Sequence, residues 1–232
     1  MKVEEFLKKV VEGYLFHDLA NMAVLGPLPD CDDGAVGYPM VMTTLSGIEL
    51  MGGLISPKEF KDNGMGDAYF LNYWNECLSG IDSKYNDLGY LFRNLVRHGL
   101  AHTYLTKHGI EIQKNFYRKP DSHGIVSISE NHVKIDCVGF YKDLEKSYYM
   151  FIKPVVFNNS SKMAFTKTTM QSRLNEMIGL YQGKSDILFQ NYKVKNSPKF
   201  YNSYFNEINV SASGIGGITH TTTLPFENEN NK

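Results

Sequence analysis

The chain reads as mainly α-helical, a helical bundle with a small antiparallel β-hairpin or sheet inserted and further helices after it. Three observations carry this. Apolar residues recur every three or four positions over most of the first 107 residues and again after residue 140. Between residues 109 and 138 the period drops to two. At 232 residues, 42% hydrophobic and 13% aromatic, the chain has material for one sizeable core.

Val3, Phe6, Leu7, Val10, Val11, Tyr14 and Leu15 line one face of a first amphipathic helix, which ends before Gly26-Pro27-Leu28-Pro29 because proline cannot continue the ladder. Asp30 to Gly37 is a polar loop. Asp30, Asp32 and Asp33 open like a calcium loop, but Gly34 comes too early and no closing glutamate follows. A second helix, from about Pro39 to Leu54, is apolar on most sides, and Gly47, Gly52 and Gly53 permit close packing. A third runs from about Ala68 to Leu78. The fourth, about Ser83 to Thr106, is expected to be the longest, with Leu88, Phe92, Leu95 and Gly99 on one stripe and His102 continuing it.

Residues 109–138 hold three short runs, the last two joined by Glu130-Asn131 as a hairpin turn. Helical spacing returns in Tyr141, Leu144, Tyr148, Phe151, Ile152 and Val155, then in Met170, Leu174, Met177, Ile178 and Tyr181. The expected organisation is a single helical domain over 1–182 (bundle 1–107, β insertion 109–138, helices 140–182) and a polar, partly disordered tail over 183–232. Gly214-Ile215-Gly216-Gly217 in that tail lacks the lysine and the strand-to-helix context of a phosphate loop.

A formal net charge of −1 gives no global field for nucleic acid, so any phosphate contact must come from a local patch. Cys31, Cys77 and Cys137 are scattered and form no C-x-x-C pair, which argues for a reducing cytoplasm and against a zinc cluster. The charged residues Glu4, Glu5, Lys8, Lys9 and Glu12 interrupt any signal or membrane segment, which needs an unbroken apolar run. No membrane partner and no cofactor are expected.

Residues 91 to 107, L-F-R-N-L-V-R-H-G-L-A-H-T-Y-L-T-K, carry the chemistry. Histidine moves protons near neutral pH, and a guanidinium holds developing phosphorane charge through paired hydrogen bonds, so the two together suit metal-free RNA cleavage. Arg97, His102 and Tyr104 give R-H-x-x-x-H-x-Y, which resembles the R-x4-H-x-Y signature of the HEPN superfamily of helical-bundle proteins. That family includes toxin ribonucleases and the nuclease domains of antiviral systems. The resemblance implies a metal-independent endoribonuclease, a toxin or antiviral-defence effector, with Arg97 and His102 catalytic and a composite site at a homodimer interface. It also implies an antitoxin or defence-system partner, for which Tyr104 is a target of nucleotidylation in toxin members.

Five residues at roughly 100° each set Arg97 and His102 about 140° apart on a straight helix. Either the helix deforms near Gly99, or two helices face one another across a twofold axis. Tyr104, about two turns beyond Arg97 on the same face, is placed to bind phosphate or base. A second, overlapping match, Arg93-Asn94 with His98, has R-N-x-x-x-H spacing without the tyrosine, and ranks behind the first. Arg93, Asn94 and His98 are therefore supporting or substrate-binding candidates.

His98 and His102 are four apart as metal ligands would be, but Gly99 stands where a zinc hydrolase has glutamate, so no metal is expected. His17, Asp18 and Glu49 could approach the site from the first and second helices, but read first as capping or surface residues. Seven Lys or Arg between Lys84 and Lys119 against Asp87 and Glu111 make a local basic footprint for an RNA partner. The alternative is a non-catalytic helical module that recruits RNA or a protein partner.

Overall fold

The computed structural model describes residues 1–26, 36–61, 64–114, 119, 122–158 and 162–192; for residues 102, 103 and 188–192 it describes the backbone alone. Residues 30–35 of the polar loop, with its acidic turn, and the tail from residue 193 on, with the glycine cluster, lie outside the described residues. Residues 1–184 form one compact unit.

The chain is mainly helical with a three-stranded mixed sheet. Helix α1 covers residues 3–24, α2 Gly37–Leu54, α3 Gly66–Glu76 and α4 residues 89–103. Strands β1 (Ile110–Gln113), β2 (Ile125–Ser129) and β3 (His132–Asp136) follow, then α5 (residues 137–157) and α6 (Lys167–Tyr192). No helix among the described residues is long and apolar enough to cross a membrane.

Among the described residues, three of the six helices contain a π-helical stretch, Leu7–Phe16 in α1, Phe92–Arg97 in α4 and Tyr148–Ile152 in α5. Each wide turn takes one more residue than an α-turn and so re-phases the stripe beyond it. In α1 the buried face is Val3, Phe6, Leu7, Val11, Phe16 and Leu19, while the expected Tyr14 is turned to solvent. In α4 it is Leu88, Phe92, Val96 and Leu100, and Leu95 is only half-buried.

The fourth helix is shorter than its sequence predicts. Ser83–Tyr85 is a separate 3-10 turn, Asp87 takes a left-handed backbone at φ 65°, and α4 starts only at Gly89. The carbonyl of Tyr85 accepts a 2.8 Å hydrogen bond from the Trp74 indole, so it is engaged outside any helix ladder. The longest helix is α6, at 26 residues.

The inserted sheet also differs from the antiparallel expectation. Its order is β1-β3-β2, with β2 antiparallel to β3 and β1 parallel to it, Ile110 facing Val133 and Ile112 facing Ile135. A register irregularity between Ile125 and Ser127 puts Ile125 inside and leaves Val126 and Ile128 exposed. Val133 and Ile135 are buried, as their alternation predicts. Asp136 then caps α5 by accepting from the Val138 amide.

Trp74 of α3 sits at the centre of the core. Its ring centroid lies 5.3 Å from Phe70, 5.4 Å from Tyr85 and 4.8 Å from Phe92, which fixes α4 against α3. Cys77 and Cys137 are wholly buried packing residues, and burial pushes the Cys137 thiol up to about 12. Helices α2 and α3 touch backbone to backbone at Gly52, where any Cβ would overlap the Tyr69 carbonyl. Gly52→Ala is therefore expected to lower stability by about 3 kcal/mol, read as a shift of the urea unfolding midpoint; an unshifted midpoint would mean that α2 and α3 separate at no cost.

Candidate functional site

The π-helical stretch of α4 decides what the motif residues can reach. The His98 amide donates to the Arg93 carbonyl across five residues, closing the wide turn, and the same five-residue step brings the two side chains together. Arg93 Nη1 contacts His98 Nε2, and Arg93 Nη2 forms an ion pair with Asp67 in the first turn of α3. Because a guanidinium only donates, His98 Nε2 accepts, and the neutral ring carries its proton on Nδ1.

The Arg93 side chain is only 12% exposed, and its buried Nε has no hydrogen-bond partner among the described residues. Burial, and then the charge of Arg97, push its pKa down, against the pull of Glu49. An unsatisfied buried donor costs about 1–3 kcal/mol, which marks this as a place where the fold tolerates a poorly satisfied group.

Arg97 turns to a different partner. Its Nη2 lies 2.5 Å from Glu49 Oε2, and both side chains are partly exposed, 29% and 25%. Gly66 makes room for the Glu49 carboxylate at the start of α3, where the helix dipole favours negative charge. The pair stands at the wall of a cavity of about 280 Å³, shared with Phe60, Lys61, Tyr69 and Tyr181.

The remaining candidates scatter. Asn94 Nδ2 donates back to the Tyr90 carbonyl of its own helix. His102 lies in the α-helical turn His98–Thr103, five residues past Arg97, with its side chain outside the described residues. Tyr104 does not extend the helix by a second turn. It is the C-cap in the left-handed region (φ 57°), its amide bonded to the Leu100 carbonyl and its ring edge-on to Tyr38 at 5.7 Å. A left-handed tyrosine is uncommon, and it sits here at the end of the motif helix.

The helix thus deforms before Gly99. Gly99 instead lets the returning chain lie on α4, since a Cβ there would overlap the Leu105 carbonyl, and the Lys107 amide reaches the Leu95 carbonyl at 3.2 Å.

Asp67 and Glu49 are the residues that the local reading of the motif under-weighted, and they change its electrostatics. Arg93 and Arg97 are paired by acids from α3 and α2, and Lys84 Nζ donates to the carbonyls of Ile125 and Val126. A count of charges along one segment could not include partners from other helices. His17 and Asp18 are exposed on α1.

Compared with known proteins, the chain matches no family model, no curated protein and no solved structure. The candidate site therefore rests on its own geometry. Among the described residues, no group of three or more His, Cys, Asp or Glu is placed to hold a metal ion.

A second polar cluster lies away from α4. Asp143 of α5, 4% exposed, accepts from Tyr85 Oη (2.6 Å), the Gly124 amide (2.7 Å) and His123 Nδ1 (2.8 Å). It ties the 3-10 turn and the strand insertion to the helices. Neither His123 nor Asp143 carries a sequence motif that would mark the pair.

Proposed function

We propose that the chain is a metal-independent endoribonuclease of the HEPN type, with Arg93 and His98 at the centre of its site. The observation that supports this choice is the side-chain contact across the π-helical turn, which joins the guanidinium and imidazole of the overlapping R-N-x-x-x-H match. RNA phosphate competes for the Arg93 guanidinium and so releases His98 Nε2. The imidazole takes the proton of the ribose 2′-hydroxyl, the 2′-oxygen bonds to phosphorus, and the 5′-oxygen leaves with a proton returned to it. The products are a 2′,3′-cyclic phosphate and a 5′-hydroxyl. Arg93 holds the negative charge of the phosphorane. His102 and Arg97 of the first match stand one turn further along the same helix.

The exposed Tyr90, Tyr104 and Leu105 around α4 favour a homodimer that covers this face, the composite arrangement the resemblance implies. A toxin or defence role restrained by a partner fits such an enzyme. The rival reading is a binding module without turnover, favoured by the ion pairs that neutralise both arginines in this conformation.

Incubating a labelled RNA pool in EDTA with wild type, His98→Ala and His102→Ala separates the two. Chelator-resistant cuts with cyclic-phosphate ends, lost in His98→Ala, are the expected result. Loss in His102→Ala alone would move the site to the first match, and RNA binding without cuts from dimeric wild type would leave the binding module.

A further inference from the structure

The cavity beside Arg97 has a chemistry that the cleavage step does not use. Its lining includes three aromatic rings: Phe60 and Tyr69 stack at 5.1 Å with 10° between planes, and Tyr181 meets Phe60 edge-on at 6.2 Å while half of its surface stays exposed. The Glu49–Arg97 pair and Lys61 complete the polar part of the lining. At about 280 Å³ it is near the lower bound of small-ligand pockets, roughly 300 Å³, a space for one planar heterocycle and little more.

We propose that this cavity binds a guanine base next to the phosphate that is cut, an inference that rests on the ribonuclease reading for its role but not for its chemistry. A carboxylate offers two acceptors and no donor, and the adjacent guanidinium offers only donors. Lined up against a base, the pair can present acceptor, acceptor, donor. Guanine alone among the four RNA bases carries the complement on one edge, with its N1–H and amino group as neighbouring donors and O6 as the acceptor beside them. Adenine and cytosine set an acceptor next to their amino donor, and uracil has a single donor between two acceptors. The exposed Tyr181 ring supplies a stacking face, the usual partner of an unpaired base. Glu49 and Arg97 thereby become specificity residues, and Arg93 and His98 remain the pair at the phosphate.

Calorimetric titration of the full chain with guanosine monophosphate and adenosine monophosphate tests this without any cleavage. The guanine nucleotide is expected to bind at least about tenfold tighter, the value of one charge-assisted hydrogen bond or more. Glu49→Gln should remove the difference and Tyr181→Ala should weaken both nucleotides. Equal binding of the two, or none of either, overturns the inference. Selective binding by a chain that never cuts RNA would sink the ribonuclease reading and leave the base site standing, whereas cuts without preference for guanine, together with no selective binding, would sink the base site alone.

Discussion

Asp143→Ala is expected to destabilise the protein by about 4 kcal/mol. The change leaves the buried Tyr85 hydroxyl and Gly124 amide without an acceptor, at about 1–3 kcal/mol each. His123, 30% exposed, loses its partner too but has access to water, and adds less. Asp143→Asn keeps one acceptor oxygen for Tyr85 and Gly124, and its amide donates to an imidazole that changes tautomer, so its cost should be about half. Urea unfolding of the three proteins reads both numbers. Equal midpoints for the alanine and asparagine variants would show that the hydrogen bonds contribute nothing beyond the side chain's volume.

Arg93→Ala should lower the rate of RNA cleavage by at least about 100-fold, the usual loss when one donor to a developing oxyanion is removed. Stability should change little, because Asp67 is 54% exposed and hydrates readily once unpaired. Arg93→Lys should fail to restore the rate. A single ammonium cannot keep the ion pair with Asp67 through one nitrogen while a second, fixed beside it, turns from His98 to the phosphate. Initial rates alongside thermal melting check both points. A lysine variant as fast as wild type would reduce Arg93 to a point charge and remove its role in orienting the imidazole.

The helices were legible in the sequence wherever apolar spacing ran undisturbed. Tyr141, Leu144, Tyr148, Ile152 and Val155 are buried as expected, as are Met170, Leu174 and Met177. Tyr14 and Leu95 were missed at π-helical turns, and Tyr181, placed on the stripe of the last helix, is half exposed without one. A five-residue step differs from an α-helical four by one residue, and stripes such as Leu88, Phe92, Leu95 or Leu88, Phe92, Val96 both fit the same residues of α4. The parallel placement of β1 escaped because alternation reports which face a strand buries, not its direction. Within the site, the sequence marked the helix and both overlapping arginine–histidine pairs. It ranked Arg97 with His102 first because of the tyrosine that follows, and it could not foresee the Arg93–His98 contact, which follows from a backbone hydrogen bond, or Asp67, which arrives from another helix; Glu49 it named only as a residue that could approach the site.

The wide turn in α4 also gives the motif two settings. If the His98 amide moves its hydrogen bond from the Arg93 carbonyl to that of Asn94, the helix tightens by one residue and the two side chains part, with no element unfolding. On the ribonuclease reading, a partner that gripped the tightened register would disarm the pair without touching it, and RNA, which needs both groups at one phosphate, would select the wide one.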